Sequence, residues 1–382
     1  MVGGHSAEIE SWLRLIRADG VGPVTFMRLV RRFGSAEAAL RVSVAGLARI
    51  EGIGVRTAER IVASRDKFDA GAELELAGRL GVTMIHLQDP RYPPLLKRIY
   101  DPPPVLYVKG TLERADNVAV AIVGSRRCSL YGQEQASRLA HLLAAAGFTI
   151  VSGMARGIDT AAHSGALSAE GRTIAVQGCG LAHVFPPENA RLFELISESG
   201  ACICELPLET EPLAEHFPPR NRIIAGLCLG TIIIEAGLRS GALITAKTAL
   251  ESNREVMAVP GKVDSPLSRG PHQLIKQGAR LVESVEDVVE ALGYFGEQLK
   301  EHTAATARET TEKVEAPLFE AGRCNLKGHE KTIYEALGKE PLHIDQVITK
   351  TDLPAGTVNA SVMSLRLKGL IRQLPGNLFA RR

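Results

Sequence analysis

Between residues 118 and 283 short uninterrupted apolar runs alternate with amphipathic stretches of helical period. The candidate strands built on these runs are 118–123 (VAVAIV), 148–152 (FTIVS), 173–177 (TIAVQ), 201–205 (ACICE), 231–235 (TIIIE), 255–259 (EVMAV) and 280–283 (RLVE). Segments such as QEQASRLAHLLAAAG and GIDTAAHSGALSAEG lie between them. Strands that are apolar on both faces and separated by helices predict a mainly parallel sheet covered on both sides. The expectation is an α/β, Rossmann-like, doubly wound domain over 76–293, reached through the proline-rich DPRYPP (89–94) and DPPP (101–104).

The pattern differs on either side. Residues 1–75 read as an all-α domain in which ADGVGPVTFMRLVRRFG and LARIEGIGVRTAERIVASR share one plan: apolar helix, Gly-apolar-Gly turn, second helix. In the second copy Ile50, Ile53, Val55, Ala58, Ile61 and Val62 can face one core while Arg56, Arg60 and Arg65 stay in water. This resembles a helix-hairpin-helix (SAM-like) repeat, whose glycines let a turn approach a phosphate backbone. The same plan also serves as a purely structural helical domain, and both readings stand. Residues 294–323 are polar without an apolar stripe and read as a linker. Residues 324–382 fit a winged helix, a module that serves either duplex binding or protein docking.

Composition alters this picture little. The chain has 382 residues, 45% hydrophobic and 23% charged, with a formal net charge of +2, so any basic surface must be local. Two such places exist. From Trp12 to Lys67 eleven Lys/Arg face five Asp/Glu, and from Leu353 to Arg382 five Lys/Arg face no acid. The six cysteines lack the paired spacing of a zinc site. MVGGHSAEIE is not a signal sequence, and the longest apolar run, Ile223 to Ile234, is too short for a bilayer. A reduced, cytoplasmic protein without cofactor, metal or membrane association is expected.

Ligands of parallel sheets sit beyond the carboxyl ends of the strands. Gly124, Ser125 and Arg126 follow the first predicted strand. Ser152, Gly153, Arg156 and Gly157 end the second, and Gly178 and Gly180 follow the third. Glu235, Gly237, Arg239, Ser240 and Gly241 follow the fifth; Gly261 and Lys262 follow the sixth. Cations, glycine turns and helix starts on one rim suit phosphates, and arginine adds a forked donor that a phosphodiester engages bidentately. Alternatively, some of these arginines pair internally with Glu205, Glu235 or Asp159.

Other chemistries fit less well. VGSRRC is not Gly-x-Gly-x-x-Gly, and the second strand ends in Ser152-Gly153 rather than the acid that would hold a ribose. No Gly-Lys-Ser/Thr loop and no Gly-x-Ser-x-Gly elbow occur. Asp159 and His163, four apart on one predicted helix, have no third ligand at metal spacing; Asp159 suits the positive helix start instead.

VGSR at 123–126, SGMARGIDTAAHSGAL at 152–167, FPPRNRIIAGL at 217–227, EAGLRSGALITAKTAL at 235–250 and REVMAVPG at 254–261 together resemble the DNA-processing protein A (DprA/Smf) family, in order and in register with the strands. The resemblance implies a non-enzymatic single-stranded DNA binder that protects incoming DNA and helps load the RecA recombinase during natural transformation or recombination. It also implies a homodimer through the Rossmann-like domain. Carried over by motif, Arg126 with Ser125 binds phosphate, and Arg156 and Lys247 are the next cations. Arg220 and Arg222 either bind phosphate or anchor Glu235; Arg239 and Lys262 complete the set, and Gly124, Gly153 and Gly157 shape the loops. The family often has tyrosine before proline where this chain has Phe185-Pro186. With aromatics at 4% of the chain, phosphate contacts are expected to outweigh stacking.

Two rivals come from other classes. GLCLGTIIIEAG has the Gly-Thr and glutamate of a Rossmann-like nucleoside-monophosphate phosphoribohydrolase, but lacks the Pro-Gly-Gly lead and spaces Glu235 one residue too far. The second is an adaptor bridging recombination proteins through its winged domain.

Overall fold

The computed structural model describes residues 2–293 and, further on, 329–338, 342–351, 353, 357–358, 361–362, 365, 371–374 and 378–381. The expected linker at 294–323 and most of the second helix of the winged motif lie outside them. The chain divides into two units, 1–307 and 308–382.

The first unit opens with six helices: α1 (Val2–Ile16), α2 (Pro23–Phe33), α3 (Ala36–Leu40), α4 (Val44–Leu47), α5 (Val55–Ser64) and α6 (Ala70–Leu80). The two expected hairpin turns precede α2 and α5. Gly20 and Gly52 adopt φ of 91° and 82° there, a region open to glycine but strained for other residues. Trp12, Leu13, Phe26, Leu29, Leu47 and Ile61 are buried. Their apolar core continues into one face of the sheet that follows. Arg17 donates to the Glu205 carbonyl at 2.5 Å, and the Leu208 amide to Glu73 at 2.8 Å, so polar bonds reinforce this docking. The boundary expected after residue 75 falls inside α6.

Nine strands form one sheet: β1 (Val82–His86), β2 (Val105–Gly110), β3 (Ala119–Val123), β4 (Thr149–Ser152), β5 (Thr173–Val176), β6 (Ala201–Cys204), β7 (Gly230–Ile233), β8 (Glu255–Ala258) and β9 (Arg280–Leu281). Their spatial order is β1-β2-β6-β5-β4-β3-β7-β8-β9. From β6 to β9 every neighbour is parallel, and β1 and β2 add an antiparallel edge. The central strands are buried throughout, as their unbroken apolar runs require. Helices α7 (Leu130–Ala145), α8 (Ile158–Ser168), α9 (Ala190–Ser199), α10 (Phe217–Leu227), α11 (Gly241–Glu251), α12 (Arg269–Lys276) and α13 (Val285–Ala291) complete the unit. Helices α7 and α8 cover one face with a second core of Leu139, Leu143, Ile150, Ile158 and Ile232.

The chain winds from β3 outward to β6, then returns to place β7 on the other side of β3. This reversal opens a crevice at the carboxyl ends of β3 and β7.

In the second unit, helices His329–Ala336 and Ile344–Thr351 accompany strand Leu342–His343 and the antiparallel pair Ile371–Leu374 and Leu378–Arg381. Ile333, Leu337, Val347, Val358, Val362, Leu365, Ile371 and Phe379 form its core. Among the described residues no helix is long and apolar enough to cross a membrane.

Candidate functional site

After β3 the chain turns through Gly124, Ser125, Arg126 and Arg127 before Ser129 caps α7, its Oγ accepting from the Gly132 amide at 3.1 Å. Glu235 lies beyond β7. Its carboxylate accepts from the Ser129 amide at 2.8 Å and the Ser129 hydroxyl at 2.6 Å, and its carbonyl accepts from the Ser125 amide at 2.7 Å. The ends of β3 and β7 are thereby tied together. A buried acid at the start of α7 also complements that helix's positive end.

The turn after β4 is fastened to the same place. The Ile158 amide donates to the Ser125 carbonyl at 3.3 Å. Gly157 has φ of 78°, and a Cβ there would sit 2.4 Å from that carbonyl oxygen, so this close approach admits only glycine. Beneath the loop Asp159 is buried and accepts from the Gly153 and Ala155 amides at 3.2 and 3.3 Å. Burial pushes its pKa up, against Arg220 and the amide donors that favour the carboxylate.

Arg220 enters from α10 and is 5% exposed. Its Nη1 donates to the Gly153 carbonyl at 2.6 Å and to the Val176 carbonyl, joining the ends of β4 and β5. Desolvation draws its pKa down to about 10, with Asp159 holding it up. At Gly153 a Cβ would collide with this guanidinium. His163, behind Asp159, places Nδ1 2.7 Å from the Thr173 hydroxyl, and burial drives its pKa down to about 3.

Above this floor opens a cavity of about 710 Å³, within the usual range of ligand sites. Gly124, Ser125, Arg126, Arg127, Arg220 and Arg239 line it, together with Phe185, Phe217, Asn221 and the start of α11 at Ser240–Ala242. Arg126, Arg127 and Arg239 are exposed, and none has an ion pair among the described residues. The Arg126 guanidinium lies 5.0 Å from the centre of the Phe217 ring, and Arg220 lies 5.9 Å from it. Phe185 approaches the same ring at 5.5 Å, tilted by 47°. Three free cations thus surround an aromatic surface, an arrangement suited to phosphates with a planar group beside them.

Of the residues expected from sequence, Gly124, Ser125, Arg126, Arg220 and Arg239 meet here, with Ser152, Gly153 and Gly157 in the floor and walls. Ser152 is fully buried and donates to the Ile122 carbonyl at 2.6 Å. Four cations do not line the cavity. Arg156 is paired with Glu188, which raises its pKa. Arg222 is held by Asp101 at 2.9 Å and Glu205 at 2.6 Å. Burial would lower the Arg222 pKa, but these carboxylates keep it raised. Neither Arg220 nor Arg222 anchors Glu235. Two positions apart on a helix, they point to different sides, one to the strand ends and one to Asp101. Lys247 lies on the exposed face of α11, 3.6 Å from Glu251, and Lys262 is exposed outside the cavity. Following a strand end fixes where a loop begins, not where its side chains aim.

Sequence reasoning passed over Phe217 and Asn221, noted Phe185 only as standing where the family often has tyrosine, and did not count Arg127 as a ligand. A signal was present: Phe217, Arg220 and Asn221 stand at i, i+3 and i+4, one face of a helix opened by Pro218 and Pro219. Among the described residues no group of three or more His, Cys, Asp or Glu is placed to hold a metal ion.

Known proteins resemble this chain along its whole length. The model of the DNA recombination-mediator protein A family matches residues 83–293. Those of the DprA-like N-terminal HHH domain and the DprA winged helix domain match 6–65 and 303–377. Protein Smf of Synechocystis is 36% identical over 99% of this chain and 100% of its own. The X-ray structure of DNA processing protein A from Streptococcus pneumoniae superposes with a TM-score of 0.66 at 36% identity, covering 73% of this chain and 97% of that one. DNA processing protein A from Helicobacter pylori, whose structure was described for its single-stranded DNA binding mode, gives 0.50 at 27% identity over 58% and 96%. By sequence, by domain order and by the sheet that carries the cavity, the chain belongs to the DNA recombination-mediator protein A (DprA/Smf) family.

Proposed function

We propose that the cavity at the ends of β3 and β7 binds the sugar–phosphate backbone of single-stranded DNA without catalysing a reaction on it. The observation that carries this reading is the set of exposed, unpaired guanidinium groups of Arg126, Arg127 and Arg239 around the Phe217 ring. Phosphates take the cations, and a base can lie on Phe217 or Phe185. Gly124 and Ser125 bring backbone to the strand, while Ser152, Gly153, Gly157 and Arg220 hold the loops in place. The single-stranded DNA named for the Helicobacter pylori relative supports the same ligand here.

The acid that a phosphoribohydrolase would need at this corner is Glu235. It is 4% exposed, and both its oxygens are engaged by Ser129. This favours binding over hydrolysis. Within its family the chain would protect incoming DNA and help load the RecA recombinase in natural transformation or recombination, as a homodimer through the Rossmann-like domain.

Salt-titrated binding of single- and double-stranded oligonucleotides tests the reading. Three neutralised phosphates give a log–log salt slope of about −2 for a single strand. Arg126→Glu should weaken binding about 100-fold with the melting temperature kept. Affinity indifferent to salt, or an Arg126→Glu variant that binds like wild type, would overturn it.

A further inference from the structure

Helices α10 and α11 both begin at the cavity and run back along the sheet to the amino ends of its strands. At that far end the segment 96–99 packs on the last turn of α10, where a Cβ on Gly226 would touch Leu96 and Ile99. Arg254, just past α11, donates to the Leu95 carbonyl at 2.9 Å. One surface therefore gathers Lys97, Arg98, Tyr100 and Arg254. Lys97 and Arg98 are exposed and have no ion pair among the described residues. Tyr100 is 83% exposed. The adjacent acid, Asp101, is committed to Arg222. The Arg254 Nε is buried with no partner. Its pKa is lowered by burial first, and also by the positive charge of Arg98. Like charges are thus held close together, none of them ion-paired among the described residues, beside an uncovered aromatic ring.

We propose that Lys97, Arg98, Arg254 and Tyr100 form a second contact for the same single strand. This rests on the cavity reading above and extends it. Cations take phosphates and the tyrosine ring takes a base, the combination that binds single strands without regard to sequence. Helix α10 has 11 residues; it spans about 16 Å, which a stacked strand covers in about five nucleotides and an extended one in fewer.

The test compares the full-length protein with Lys97→Glu/Arg98→Glu and, separately, Tyr100→Ala, on oligonucleotides of about 4 and about 16 nucleotides. The charge-reversal variant should lose about tenfold or more in affinity for the long strand and keep its affinity for the short one. Tyr100→Ala should lose about fivefold on the long strand alone. All three side chains are exposed, and an unchanged melting curve verifies folding. If both variants bind the long strand like wild type while Arg126→Glu abolishes binding, this second contact is refuted and the cavity stands. If Arg126→Glu also binds like wild type, both readings fall. Intact oligonucleotide binding with lost retention on polyglutamate would assign the patch to an acidic protein segment and overturn the proposal.

Discussion

Arg126 and Arg172 sit at opposite ends of the same parallel strands and have opposite fates. At the amino end Arg172 is enclosed. Its Nε and Nη2 engage both oxygens of Asp116 at 2.9 Å, its Nη1 meets Glu113 at 3.0 Å, and carbonyls of Thr111 and Ser199 accept from it as well. Asp116 holds the Arg172 pKa raised. At the carboxyl end Arg126 has no ion pair among the described residues and rests on Phe217. Here the acid that could have quenched it, Glu235, is turned inward to Ser129. Residue type is the same at both ends. What separates a strut from a group left free to meet a ligand is the placement of acids around it.

The largest effect should come from breaking the strut. Arg172→Met leaves the buried Asp116 unpaired, and denaturant unfolding should register a loss of about 3–5 kcal/mol, while single-strand affinity of the folded protein stays as it was. Arg126→Glu should do the reverse, as set out above: stability retained, binding lost. If the two variants had the same phenotype, the contrast between the ends would be void. A smaller change is expected for Phe217→Leu, which keeps bulk but removes the ring under Arg126. Oligonucleotide affinity should fall about tenfold, in line with roughly 1–3 kcal/mol per stacked base. Unchanged affinity would restrict the cavity to phosphates.

The effect that vanishes at neutral pH and grows only in acid concerns His163, between the two ends. Its folded pKa of about 3 lies below the ordinary value of 6.5, so in that window the unfolded chain binds a proton that the folded one refuses. Stability from this group is full above pH 6.5 and declines as pH falls toward 3, by at most about 1.4 kcal/mol per pH unit. The raised Asp159 acts in the opposite sense above the ordinary carboxylate range. Subtracting the stability–pH curve of His163→Gln from that of wild type isolates the histidine. A flat difference curve would count against its buried, neutral state.

The seven parallel strands were legible because all but the short, exposed β9 carry an apolar run bounded by turn residues, and their observed limits differ from the expected ones by one or two residues. The edge strands β1 and β2 were not read. VTMIH and VLYVKG flank the prolines of the approach segment, and their antiparallel pairing leaves no strand–helix alternation to follow. In the cavity, Arg126 and Arg239 were found because they directly follow strands. Phe217 was not, since it arrives on a helix whose start lies far in sequence from any strand end. Arg156 was placed correctly on its loop, yet its charge is spent on Glu188, 32 residues away. That pairing depends on tertiary geometry that no local pattern encodes.

The clasp of the Ile158 amide on the Ser125 carbonyl, which Gly157 permits, has a kinetic consequence. Two loops fixed to each other before any ligand arrives need no ordering when it does, so on the proposed reading capture of a strand would proceed at the rate of encounter rather than of rearrangement. The free guanidinium groups on that pre-formed lip would then draw the polyanion in from a distance, and added electrolyte would slow its arrival more than it hastened its departure.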